Sequence, residues 1–155
     1  MTESSLKAST RDAIEHRCVG AEVLHHQDRF SSGYPDTSVS WNGFTSWVEF
    51  KFLGLEESLH GPLREDQLLQ LIRLEKQSAC RAWIVVFRKT RLEERTDIYR
   101  PTRLVSHGVK LELKASEKYS GLGPSNLVAL WDTGVVSLSG LQYDAVASLI
   151  KLTHQ

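Results

Sequence analysis

Asp36, Glu49 and Lys51 are the residues whose types and spacing could do chemistry together. They flank Asn42-Gly43, a pair strongly favoured in two-residue type I′ hairpin loops. Such a loop sets Trp41 against Phe44, and counting outward puts Val39 opposite Ser46, Thr37 opposite Val48 and Asp36 opposite Glu49. Side chains alternate between the faces of a strand. One face therefore carries Trp41, Val39, Phe44, Val48, Phe50 and Phe52, an apolar surface. The other carries Asp36, Ser38, Ser40, Thr45, Trp47, Glu49 and Lys51. Two acids on directly opposed positions repel, with Cβ atoms only about 4.5–5.5 Å apart. A divalent cation relieves that repulsion, and Mg2+ characteristically takes one or two carboxylates with water and phosphate oxygens. Lys51, two residues beyond Glu49, brings an ammonium to the attacking water or to a phosphate. The chemistry expected is metal-assisted phosphodiester hydrolysis. Each part alone has a blander reading, since Pro-Asp is common in turns and Glu-x-Lys suits any solvent-facing strand. The opposed register tips the balance.

Other elements must position these residues. A helix is expected from about Ser9 to Cys18, capped by Ser9 or Thr10 and stopped by Gly20. Residues 21–30 suit a strand, and Ser31-Ser32-Gly33-Tyr34-Pro35 has turn composition. Gly61-Pro62 precedes a helix from about Leu63 to Gln77, with Leu68, Leu71 and Ile72 on its apolar stripe. Trp83-Ile84-Val85-Val86-Phe87 is a continuous apolar run, as a central buried strand requires. Farther on, Val109 to Leu113 alternates like an exposed strand and residues 116–126 suit a loop. Leu127 to Trp131 suits a short strand, and Gly140 to Leu152 a closing helix.

The chain has 155 residues with 41% hydrophobic and 25% charged positions, enough to bury a core in one domain. No apolar run reaches the roughly 18 residues of a membrane span, and no signal core opens the chain. An intracellular, cytoplasmic protein is expected, with Cys18 and Cys80 as reduced thiols. Lys plus Arg (19) equals Asp plus Glu (19), so no global field attracts a polyanion. Nucleic-acid binding would then need a local basic patch, or an oligomer that pools several. The densest basic stretch holds Arg88, Lys89, Arg91, Arg95, Arg100 and Arg103, where phosphate contact and a solvated loop balanced by Glu93, Glu94 and Asp97 compete evenly.

Gly33-Tyr34-Pro35-Asp36, followed after twelve positions by Glu49-Phe50-Lys51, resembles the signature of the PD-(D/E)XK nuclease superfamily. Virus-type replication-repair nucleases and archaeal-type Holliday junction resolvases are the relatives suggested, the former through Gln67 at the start of a helix. The resemblance spans roughly residues 9–88, leaving 89–155 as a C-terminal elaboration. It implies a restriction-endonuclease-like α/β core, α-β-β-β-α-β, with a mixed central sheet flanked by helices. It further implies endonucleolytic hydrolysis of DNA with Mg2+ or Mn2+, in a protein that could be viral or encoded by a mobile element. Carried over by position, Asp36 and Glu49 would ligate the metal, with the Phe50 carbonyl a further ligand. Lys51 would orient the water and Gln67 would position Lys51 or substrate. A first-helix acid, Glu15 before Glu22, would complete the set, and Arg88, Lys89, Arg91 and Arg95 would meet nucleic acid.

Adjacent His25 and His26 point to opposite faces of a strand, which disfavours a shared metal. Trp47, on the polar face, could stack on a nucleotide or be covered by the C-terminal half. Three functions compete: a metal-dependent DNA endonuclease forming a dimer or higher homo-oligomer, a non-catalytic nucleic-acid-binding or assembly protein, and a hydrolase of other phosphoesters.

Overall fold

The computed structural model describes residues 2–26, 33–79, 81–107, 118–119 and 130–155. Helix α1 (Glu3–Arg17) leads into β1 (Glu22–His25), β2 (Thr37–Trp41), β3 (Phe44–Leu53), α2 (Glu65–Gln77) and β4 (Ala82–Lys89). Then follow β5 (Glu94–Tyr99), α3 (Pro101–His107), β6 (Lys118–Tyr119), β7 (Val135–Ser139) and α4 (Ala145–Thr153). The strands make one mixed sheet in the order β1-β2-β3-β4-β5-β7-β6. The expected α/β architecture, with its α-β-β-β-α-β order and flanking helices, is what forms.

From Thr37 to Trp41 the hairpin register is the counted one, and Asp36, expected opposite Glu49, lies one residue outside β2. Trp41 pairs with Phe44, Val39 with Ser46 and Thr37 with Val48. Asn42 and Gly43 adopt φ of 54° and 84°, the left-handed values that a type I′ turn demands. Beyond the hairpin β3 runs parallel to β4, with Glu49 beside Ile84 and Lys51 beside Val86. That neighbour makes β3 an interior strand and explains why β4 is apolar on both faces.

The two sheet faces bury separate cores. Val39, Val48, Phe50, Trp83, Val85 and Phe87 pack beneath α1 and α4, meeting Leu6, Ile14, Val146 and Ile150. Ile84, Val86 and Leu53 pack beneath α2 and α3, against Leu68, Leu71, Leu74 and Leu104. The hairpin face read as polar and open is therefore partly roofed. Phe44, assigned to the apolar face, is instead 38% exposed near the turn, under the Arg81 guanidinium.

Several expectations need correction. The first helix begins at Glu3, because Thr2 and Ser5 form a reciprocal capping box. Thr10 is not a cap; it is buried and its hydroxyl donates to Leu6 O at 2.8 Å. Within residues 88–103, β5 forms and pairs antiparallel with β4. Leu130 and Trp131 are helical rather than the end of a strand, and β7 lies just beyond them. The closing helix starts at Ala145, five residues later than the pattern suggested. The expectations for 27–32, 109–113 and 127–129, for Cys80 and for most of 116–126 fall outside the described residues. Cys18 is a buried free thiol.

Candidate active site

The site lies where the β2 end of the sheet meets the C-terminal half of β3. Gly33 turns the chain with φ +85°, and a Cβ there would stand 2.6 Å from Asp66 O. Only glycine allows this approach to the first turn of α2, and the contact seats Pro35 and Asp36 at the mouth of β2. The Asp36 backbone N–H donates to Glu49 Oε2 at 3.2 Å, and the Phe50 N–H donates to Asp36 Oδ2 at 3.3 Å. Each acid is thus tied to the other's strand segment.

Cations approach from two layers. Lys51 Nζ lies 3.4 Å from Glu49 Oε1 and 3.4 Å from Gln67 Oε1. Gln67 Nε2 faces Glu49 Oε1 at 3.5 Å, while its Oε1 accepts from the Arg64 N–H at 3.0 Å and so caps α2. From the opposite layer, Lys7 of α1 reaches Asp36 Oδ2 at 3.2 Å and also pairs with Glu3 at 3.7 Å. The Thr37 hydroxyl donates to Asp36 Oδ1 at 3.0 Å, and His25 Nδ1 lies 3.0 Å from that hydroxyl oxygen.

These ion pairs are longer than the roughly 2.7–2.9 Å of strong charge-assisted bonds. Neither lysine offsets the cost of burying its acid. Burial, then the charge of Asp36, pushes the Glu49 carboxyl from 4.5 up to about 7. Burial raises Asp36 as well, against the pull of Lys7. Glu49 is 3% exposed, so solvent contributes little.

The donor set fits Mg2+ or Mn2+: two under-compensated carboxylates converge beside a lysine. Among the described residues no group of three or more His, Cys, Asp and Glu side chains converges. A carboxylate pair meets the habit of Mg2+, which keeps several waters, better than the closed cages of zinc or calcium.

Of the residues anticipated, Asp36, Glu49, Lys51 and Gln67 come together, with the Phe50 backbone beside them. Glu15 does not join: it is exposed and pairs with Arg11 at 3.0 Å. Eight residues separate it from Lys7, about 12 Å along the helix. Glu22, the second choice, is exposed on β1. The basic stretch divides. Arg88 is fully buried, its Nε donating to Asp97 Oδ2 at 2.8 Å and its Nη1 to Gly54 O at 3.1 Å, so it holds the fold and meets no phosphate. Arg95 is bound to the same Asp97 at 3.0 Å. Lys89, paired with Glu94 at 3.6 Å, and Arg91 remain exposed. Lys89 stands three residues past Val86, the partner of Lys51, about 10 Å farther along the strand direction. Lys7 and Thr37 were missed, the one signal for Thr37 being its place next to Asp36 and none marking Lys7; His25, set aside as half of a shared metal pair, reaches the site through Thr37.

No protein-family profile matches this chain, and no curated protein sequence matches it either. Among solved structures it is similar to a Holliday junction resolvase from the archaeal hyperthermophile Archaeoglobus fulgidus. Identity is 17% and the TM-score 0.45, over 74% of this chain and 79% of the other. Among the described residues, no helix is long and apolar enough to cross a membrane.

Proposed function

We propose that this protein is a Mg2+- or Mn2+-dependent endonuclease of the PD-(D/E)XK type that hydrolyses DNA phosphodiester bonds. The observation that carries the reading is the convergence of Asp36 and Glu49, from neighbouring strand segments, beside Lys51. Asp36 and Glu49 would hold the ion, with the Phe50 carbonyl as the further ligand that the resemblance suggests. The ion, when bound, supplies charge for the phosphate and lowers the cost of deprotonating water.

The protein's own side chains do the rest. Lys51 holds its ammonium beside Glu49 and stabilises charge as it develops on the phosphate. Gln67 grips both partners through its two amide ends and limits how far Lys51 swings. Lys7 holds Asp36 against the β2 mouth from the other layer. Lys89 and Arg91 are the exposed cations placed to meet the backbone of a long substrate. With charge balanced overall, a homo-oligomer that pools such patches is the substrate-binding form we favour, and light scattering alongside the assay tests it.

Cleavage of single-stranded, branched and duplex DNA with Mg2+ or Mn2+ should be lost in Asp36→Ala. It should fall roughly 100- to 1000-fold in Lys51→Ala. Metal-dependent cutting that survives both substitutions assigns the activity elsewhere. Absence of Mn2+ binding by calorimetry would favour a non-catalytic binding protein instead.

A further inference from the structure

Two residues before each acid stands an aromatic ring: Tyr34 before Asp36, and Trp47 before Glu49. On β3 that spacing keeps Trp47 on the same face as Glu49, about 7 Å away along the strand. The two rings meet edge to face, with centroids 6.1 Å apart. Tyr34 is 47% exposed and Trp47 half-buried, with His26 packed 6.0 Å from the Trp47 ring. They form one wall of a groove of about 550 Å3 that runs on past Phe44, Leu74, Gln77 and Arg81. The Arg81 guanidinium lies 3.9 Å from the centre of the Phe44 ring. Its Nε donates to Thr153 O at 2.9 Å and its Nη1 to Ser78 O at 3.1 Å. No carboxylate among the described residues pairs with it, and Nη2 has no protein partner among them. The groove therefore combines the exposed Tyr34 ring with a pre-oriented cation that no carboxylate among the described residues compensates, and its Trp47 wall shares a strand face with Glu49.

We infer that this groove binds an unpaired nucleotide near the scissile phosphate, stacking its base on Tyr34 and setting a backbone phosphate against Arg81, which the Phe44 ring holds in place. The inference rests on the nuclease reading and narrows its substrate to nucleic acid with a single-stranded segment at the site. A base inside a duplex already has both faces covered by its neighbours, so it offers this ring nothing. An unpaired base has free faces, and aromatic stacking accepts any base because every base has a π-face. Arg81 supplies the backbone anchor that such stacking platforms pair with, and its planar fork suits a phosphate. An apolar peptide would leave that guanidinium opposite no charge.

The test is binding without catalysis. A fluorescently labelled oligothymidylate of about 12 nucleotides, and the matched oligouridylate, are titrated in EDTA and followed by anisotropy. A blunt duplex and an abasic strand of equal length and charge run beside them. The groove is supported if either single strand binds and the abasic strand binds roughly 5- to 100-fold more weakly, the range expected for losing base stacking. Tyr34→Ala should reduce oligonucleotide binding by a similar factor and leave abasic binding unchanged, whereas Arg81→Ala should weaken both strands. Unchanged abasic binding also shows that the Tyr34 variant folds. Equal affinity for the abasic strand, preference for the duplex, or no effect of either substitution overturns the inference. The outcomes separate from those of the parent reading. Base-dependent binding with no cleavage in any metal leaves the groove and removes the nuclease, whereas Asp36-dependent cleavage with base-independent binding does the reverse.

Discussion

Replacing Glu49 with Gln keeps the side chain's shape and removes one of two buried like charges. The Glu49 carboxyl titrates at about 7 in the folded, metal-free protein, against 4.5 for an ordinary glutamate. A carboxyl that holds its proton more tightly when folded favours the fold only while protonated. That contribution is full below 4.5 and is lost as pH rises through about 7. Above it, the charged form carries a penalty of roughly 3 kcal/mol. In a domain of this size such a penalty corresponds to a Tm difference on the order of 10 °C. Thermal unfolding in EDTA should therefore show wild type losing stability between about pH 5 and pH 8 while Glu49→Gln stays flatter. Near the upper limit the variant should be the more stable protein, by several degrees. Millimolar Mg2+ should restore the wild type there and leave Glu49→Gln nearly unmoved, since binding to the native state alone raises Tm. If the variant in EDTA is instead less stable than wild type across the whole range, Lys51 and Gln67 already satisfy the carboxylate. The acid pair then needs no cation to be stable.

Gly33→Ala places a Cβ against the Asp66 carbonyl in a left-handed conformation, and should cost more than about 1 kcal/mol in urea unfolding while lowering kcat through a displaced Asp36. Arg88→Met strips the buried Asp97 of its shortest ion pair and should cost about 3 kcal/mol, whereas Lys89→Ala should stay within about 0.5 kcal/mol. His154 is fully buried, with Nε2 against Ser46 Oγ and Nδ1 2.9 Å from Trp41 O, and burial holds it below 6.5. Its contribution is present above 6.5 and lost as pH falls through its lowered value, so His154→Gln should flatten the acid side of a Tm profile.

The part of the site legible in the sequence was the part set by local rules. Asn42-Gly43 fixes a turn, the turn fixes a register, and a period of two then decides which side chains share a face. Gln67 was reachable because its helix start is marked by position in a known motif. What stayed hidden depends on contacts distant in sequence. Nothing local says that Lys7 docks against Asp36, or that α2 roofs half of the face carrying Glu49. Arg88 was misjudged for the same reason. A run rich in arginine looks solvated until β5 supplies Asp97 from the next strand, and the pairing that makes Arg88 interior is not written at position 88. The start of α1 was missed because a Thr-Ser box is a weaker cue than Thr-Glu, and the sparse apolar positions of that helix gave little else to follow.

Asp36 is gripped by a lysine from the layer above the sheet, and Glu49 by a glutamine from the layer below it. The gap between their oxygens is thus a caliper whose two jaws belong to different halves of the molecule. Leu6 seats the first jaw and Leu68 the second, in cores that do not share a cluster. Loosening either core by a methylene should open or skew the caliper before it melts anything. Rates of the metal-dependent reaction would then report on packing far from any reacting atom, and mutations that spare the fold could still silence it.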